Sequence, residues 1–306
     1  MAFLKRIPIP TAALALGLAS LGNLLAPYSE ALRLTCGLLS AVLVTLVLLR
    51  IAVDPRGVYA ECENCATLAV LPTLFMALMV LSTYLKPYAP AAAPWVWAIA
   101  LGLQLAVTAL FVKRHLLSFE LGKVLPSWFI VFVGYVVATV TSPAFSMQPL
   151  GRVLLYLGLA GYVAVLATVS YRMVKLGDLP KPALPAVAIF AAPSSLCLAG
   201  YLAVTETKQP GVVYALLAVS AVSLLFVLSR LPKVLKLDFH PGFAALTFPI
   251  VITGVALKQS NAFLTSTPAG SLIPGVAVTA MDLFAVLIVS YVLLRYAVFL
   301  AVPAKG

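Results

Sequence analysis

The chain has 306 residues, of which 63% are hydrophobic and 9% charged, and it carries a net charge of +11. A water-soluble domain averages about 45–50% apolar and about 25% charged residues, so this chain cannot cover itself with polar surface and needs lipid as its solvent. No polar stretch is long enough for a second, soluble domain, and 1–306 reads as a single transmembrane domain. The positive charge sits between apolar runs, where the topology rule for Lys and Arg accounts for it, so no nucleic-acid partner is expected.

A spanning helix needs about 20 mostly apolar residues. On that measure helices are predicted over 7–26, 31–52, 66–85, 91–112, 125–145, 150–171, 183–204, 210–229, 241–257 and 273–299. Lys5 and Arg6 precede the first run, but that run is long enough to span, unlike a cleaved signal peptide. Prolines and glycines inside the runs are compatible with membrane helices. Cys36 and Cys197 lie in apolar runs as packing residues. Cys62 and Cys65 form a lone CxxC in the loop before the third helix, with only Glu61, Glu63 and Asn64 beside them. A metal site needs further ligands at suitable spacing, so neither a metal nor another cofactor is expected.

Lys and Arg set the orientation. The side of the N-terminus receives Lys5, Arg6, Arg50, Arg56, Lys113, Arg114, Lys123, Arg172, Lys175, Lys181, Arg230, Lys233, Lys236, Arg295 and Lys305. The other side receives Arg33, Lys86, Arg152, Lys208 and Lys258. A three-to-one excess places both termini in the cytoplasm, in a multi-pass protein of the cell (inner) membrane.

The last charge before each odd-numbered helix is Arg6, Glu63, Lys123, Lys181 and Asp238, at intervals of 57, 60, 58 and 57 residues. Five hairpins of nearly equal length follow one another, all in one orientation: 7–52, 66–112, 125–171, 183–229 and 241–299. A fixed period signals a repeated architecture, and parallel repeats in a membrane suggest rotational pseudo-symmetry about the membrane normal. The expected fold is an all-α polytopic membrane protein of ten transmembrane helices. Its five parallel hairpins form a ring, with the inner odd helices around a central pore.

The predicted odd helices contain no Asp, Glu, Lys or Arg. They are rich in small residues, which let backbones approach closely, and in prolines, which kink a helix and free a carbonyl. Pro72, Pro193 and Pro249 lie 9, 12 and 11 residues past their repeat boundaries, roughly mid-membrane at 1.5 Å per residue. Thr11, Gly17, Pro72, Phe75, Gly134, Pro193, Ser194 and Pro249 are the pore-lining candidates. The even helices are richer in Leu and Val, as in 38–49 and 217–228, which suits a lipid-facing outer ring.

The motifs Pro8-Ile9-Pro10-Thr11 with Gly17-Leu18-Ala19, Val133-Gly134, Ala191-Ala192-Pro193-Ser194 and Ala245-Leu246-Thr247-Phe248-Pro249 fall on the first, fifth, seventh and ninth helices. In order and spacing they resemble the tellurite-resistance/dicarboxylate transporter family, which includes the bacterial TehA proteins and the slow-type anion channels of plant guard cells. The resemblance covers nearly the whole chain. It implies a homotrimer with a pore in each protomer, plugged at mid-membrane by the phenylalanine of the ninth helix, here Phe248. The CENC loop and the very short termini depart from the pattern, which puts regulation by phosphorylated tails in doubt.

Phe248 lies ten residues past Asp238, and the same offset in the other repeats gives Leu16, Thr73, Val133 and Ala191. One ring among smaller side chains can occlude a narrow axis; equally, a membrane phenylalanine can simply pack, and the resemblance favours the gate. Phe75 lies near the same depth, as packing or as a second constriction. No cation is expected in the pore wall. Anion preference then rests on converging helix dipoles and Lys and Arg at the cytoplasmic mouth, which favours weak passage of small monovalent anions such as chloride or nitrate. Asp282 is the one acid deep in a predicted helix; proton coupling through it would instead make a secondary transporter or exporter of dicarboxylate, sulfite or tellurite. His115 and His240 flank helix ends without zinc spacing. The nine acids are not clustered as a membrane enzyme requires, so no enzyme is expected.

Overall fold

In a chain this apolar, backbone polar groups must be satisfied within each segment, and helix is the structure that does so without strand partners. The computed structural model describes residues 2–301, all of whose regular elements are helical. Lys305, counted above among the cytoplasmic cations, lies outside the described residues with the rest of 302–306.

Ten apolar segments follow in the predicted order. They are α1 (Thr11–Leu25), α2 (Glu30–Val53), α3 (Cys65–Leu85), α4 (Ala93–Leu116), α5 (128–145), α6 (Gln148–Leu176), α7 (Lys181–Val204), α8 (Pro210–Leu235), α9 (Pro241–Thr265) and α10 (Gly275–Ala301). Eight of them are long and apolar enough to cross a membrane. The exceptions are α1, whose helix has 15 residues because Pro8 and Pro10 hold its start in turns, and α5, which is broken. A short helix, Pro55–Glu61, sits between α2 and α3 where a loop was predicted; Asp54 caps it and Pro55 starts it.

The even helices are nearly continuous, whereas four of the odd segments change character partway. α3 divides at Leu71, between Cys65–Val70 and Pro72–Leu85. α5 divides at Gly134-Tyr135. α7 begins with eleven residues of 3₁₀-helix, Lys181–Ala191, and turns α-helical at Ala192; α9 does so at Thr247, after 3₁₀-helix over Pro241–Leu246. Pro182 and Pro185, three apart, match the 3₁₀ period, and the missing N–H groups of Pro193 and Pro249 weaken α-helical pairing just past the junctions.

The odd segments are buried and the even ones exposed. In their most apolar windows 89% of α7 is buried but only 17% of α8. Leu38, Trp95, Tyr156, Leu225 and Leu287 are among the large side chains that the even helices leave uncovered, as a lipid-facing surface requires. α1 packs on α3, α3 on α5, α5 on α7, α7 on α9, and α9 on α1 again. Each even helix packs on its own odd partner and on the next odd segment, α10 returning to α1.

The α1–α9 contact depends on Gly17. A Cβ there would collide with the Thr247 hydroxyl and crowd the Phe248 backbone, and α9 is held at this point by the Thr247 hydroxyl donating to the Ala13 carbonyl at 3.2 Å. Gly17→Val is therefore expected to destabilise the protein by about 1–3 kcal/mol. A thermal melt in detergent checks this, and Gly102→Val, where nothing lies within 4 Å of an added Cβ, should melt close to the wild type.

Candidate functional site

Three cavities lie between the odd segments, and no even helix contributes to their lining. The near cavity, at the end of the N-terminus, holds about 300 Å³ among Pro10, Thr67, Ser127, Pro182 and Gly242. The middle cavity holds about 40 Å³. The far cavity holds about 340 Å³. Ala13, Ile130, Ile189 and Ala245 line both near and middle cavities, and Leu196 and Phe248 line both middle and far ones. The three thus share walls in succession, with the smallest volume in the middle.

Phe248 follows the first residue of the α-helical part of α9, where 3₁₀-helix gives way. Its neighbours in the chain are tied on both sides. Thr247 bonds Ala13 in α1 and Ala244 in its own segment. Thr253 donates to the Pro249 carbonyl at 2.8 Å and reaches the Ala191 carbonyl of α7 at 3.2 Å; Ser195 donates to the same carbonyl at 2.8 Å. Hydroxyls from two segments thus meet at the 3₁₀-to-α junction of α7, the kind of re-satisfaction that lets helices break inside a membrane.

Of the lining candidates, Gly134, Pro193 and Pro249 face the middle cavity. Gly134 belongs there for want of room, since a Cβ would collide with the Ile130 carbonyl and crowd Met76. Thr11, Gly17, Pro72, Phe75 and Ser194 are buried but line none of the three cavities. At Thr11, Gly17, Pro72 and Ser194 small size or helix breaking serves packing rather than lining, and composition does not separate the two. Of the positions at the Phe248 offset, Leu16, Thr73 and Val133 line the middle cavity; in α7 it is Ala192 rather than Ala191.

The α-helical parts of α7 and α9 start at the level of the middle cavity, each continuing a 3₁₀ segment from Lys181 and Pro241. One expectation is corrected: the wall of the far cavity holds a cation. The ninth helix was predicted to end at 257, but it runs to Thr265, which carries Lys258 and Gln259 into the far cavity. Treating the charge as a boundary hid it; the helix-forming residues from Lys258 to Leu264 were the available signal.

Lys258 explains Asp282. The ammonium lies 2.7 Å from the Asp282 carboxylate, donates to the Leu24 carbonyl at 2.9 Å, and sits 4.3 Å from the centre of the Tyr28 ring. Tyr28 donates its hydroxyl to the same carboxylate oxygen at 2.8 Å. Asp282 is buried, does not line the cavities, and keeps its other oxygen without a partner. Arg295 instead lies over the rings of Phe239 and Tyr291.

Cys62 and Cys65 are free and buried at the ends of neighbouring helices, and Cys65 contacts the Lys123 carbonyl. Burial pushes the Cys62 thiol above its ordinary value, which holds it in the unreactive protonated form. Among the described residues no cluster of His, Cys, Asp and Glu is arranged to hold a metal. His240 caps the 3₁₀ start of α9, accepting from the Gly242 N–H at 3.2 Å, and burial lowers its pKa.

An apolar, exposed shell around buried, broken segments that enclose a series of cavities defines a multi-pass membrane protein. The pattern of the SLAC1 family, described as voltage-dependent anion channels, matches residues 6–300. The chain belongs to that family, which also takes in the tellurite-resistance/dicarboxylate proteins its motifs resemble, and it is an anion channel or transporter. No curated protein matches it in sequence.

Removing Lys258 leaves the Asp282 carboxylate buried beside only Tyr28. Lys258→Met is expected to cost about 3 kcal/mol or more, and Lys258→Met/Asp282→Leu to recover most of that, because breaking a buried pair costs more than replacing both partners. Melting of the two variants in detergent checks the order.

Proposed function

We propose that the protein is an anion channel that conducts small monovalent anions such as chloride or nitrate, with Phe248 closing its pore. One observation carries this reading: Phe248 and Leu196 are the residues shared by the 40 Å³ middle cavity and the 340 Å³ far cavity. An aromatic ring at the tightest point of an apolar pathway is a hydrophobic constriction. The wall of the middle cavity carries no charged side chain. It offers a dicarboxylate nothing to replace its hydration, and a poorly hydrated monovalent anion loses least there.

In this reading all ten segments cross the membrane as five parallel hairpins in a ring. α1 and α5 count as crossings because each contributes to all three cavities, α1 from Pro10 to Leu24 and α5 with the turn before it from Leu125 to Ala144. The N-terminus and the near cavity face the cytoplasm. Arg50 with Glu61 and Arg230 with Asp178 pair at that side, and Arg33 with Glu30 and Arg152 with Glu206 at the other, so the ion pairs respect the predicted alternation. The working form is the homotrimer that the resemblance implies, in the cell membrane.

Currents in oocytes or planar bilayers test the gate. Phe248→Ala is expected to raise chloride and nitrate current about tenfold or more over wild type, equivalent to lowering the barrier by about 1.4 kcal/mol. Absence of current from both proteins would reject the channel.

A second reading keeps one observation in its favour, the unpartnered buried oxygen of Asp282. Were Asp282 to carry a proton, the protein would be a coupled transporter or exporter of dicarboxylate, sulfite or tellurite. Uptake into liposomes driven by a pH gradient and abolished by Asp282→Asn is the result that would establish it.

A further inference from the structure

The gate leaves the chemistry of the far cavity unexplained. Lys258 is, among the described residues, the only charged side chain lining any of the three cavities. Its ammonium carries three donors. Asp282 and the Leu24 carbonyl take two of them, the Tyr28 ring lies 4.3 Å from the ammonium, and the side chain remains 23% exposed on the wall of the far cavity.

Asn23, the residue before Leu24, lines the same cavity. Its amide oxygen accepts from Arg33 Nε at 3.2 Å. A guanidinium can only donate, so the amide cannot turn its NH₂ group towards Arg33, and that group is directed away from it. Lys258 and Asn23 thus both line the far cavity, held respectively by Asp282 and Arg33, each with donors besides those contacts. No carboxylate is among its lining residues. Asp282 stands behind Lys258, with its own second contact to Tyr28.

We propose that Lys258 and the Asn23 amide form a binding site for a small, singly charged inorganic anion, such as chloride or nitrate, at the far end of the pathway. Asp282 keeps that binding weak. The site rests on the pore reading above and names the residues that recruit the ion. Lysine supplies a point charge that attracts the anion from water, and the amide shares its coordination. Asp282 offsets the lysine's charge from outside the cavity, so the ion meets a reduced field and leaves readily, as conduction demands. A doubly charged anion gains little from such a near-neutral pair.

The test measures binding separately from current. Full-length protein in detergent is titrated with chloride, and binding is read from broadening of the chloride NMR line, which detects weak exchange; nitrate is the competitor. Wild-type protein is expected to give broadening that nitrate displaces. Lys258→Gln/Asp282→Asn, which keeps a hydrogen-bonded pair without charge, should bind chloride about tenfold more weakly, the worth of one charge-assisted hydrogen bond. Asp282→Asn alone should bind it roughly threefold more tightly or better. Lys208→Gln, which removes a cation from the same side but outside these cavities, should match the wild type. The proposal is overturned if the double variant binds like wild type, or if Asp282→Asn weakens binding, whatever the currents. If binding follows Lys258 while Phe248→Ala carries no current, the site stands and the pore reading falls.

Discussion

Everything in this protein depends on keeping broken backbone satisfied in a solvent that offers no hydrogen bonds. A continuous helix meets that demand alone, and the even segments do so while facing lipid. The odd segments break at Leu71, at Gly134-Tyr135, before Ala192 and before Thr247. Such breaks are tolerated only inside protein or along a cavity, where neighbours supply partners. At the α7 and α9 junctions the hydroxyls of Ser195, Thr247 and Thr253 are such partners, linking α9 to α1 and α7 beside the middle cavity. The backbone is therefore satisfied by hydroxyls next to the residues that line the middle cavity.

The division between shell and interior follows from that constraint. Leucine and valine on the even helices gain nothing from further burial in a protein core, because lipid is as apolar as they are. Association rests instead on close approach and on polar bonds between segments. Gly17 against Thr247, and Tyr84 donating to the Ala19 carbonyl at 2.6 Å, are examples. The cavities remain because the small residues that bring backbones together in pairs leave too little side chain to fill the space where five segments meet.

Charge is handled differently at the two ends. At the near end Arg50 is buried against the Ile7 carbonyl and Glu61, and cations otherwise gather outside the cavity linings. At the far end one lysine enters the wall with its counter-ion behind it.

Much of this was legible in the sequence, because the bilayer imposes a length and the topology rule a sign. Composition required a membrane, hydropathy located the segments though α8 and α9 run well past their predicted ends, and the spacing of charges marked five similar units. The short motifs pointed to the family. What remained hidden has a common physical cause: sequence pattern reports that a residue is small, apolar or charged, but not which way it faces once segments pack. Gly17 and Gly134 look alike in sequence, yet one seats a helix and the other borders the middle cavity. Lys258 reads as a boundary until α9 continues past it, and Asp282 reads as a solitary acid until Lys258 and Tyr28, distant in sequence, close around it. The sequence by itself determined that the chain is a membrane-embedded set of apolar helices, with small and polar residues on the odd ones. Only tertiary packing decided which of those residues line the cavities, because that depends on contacts between segments far apart in the chain.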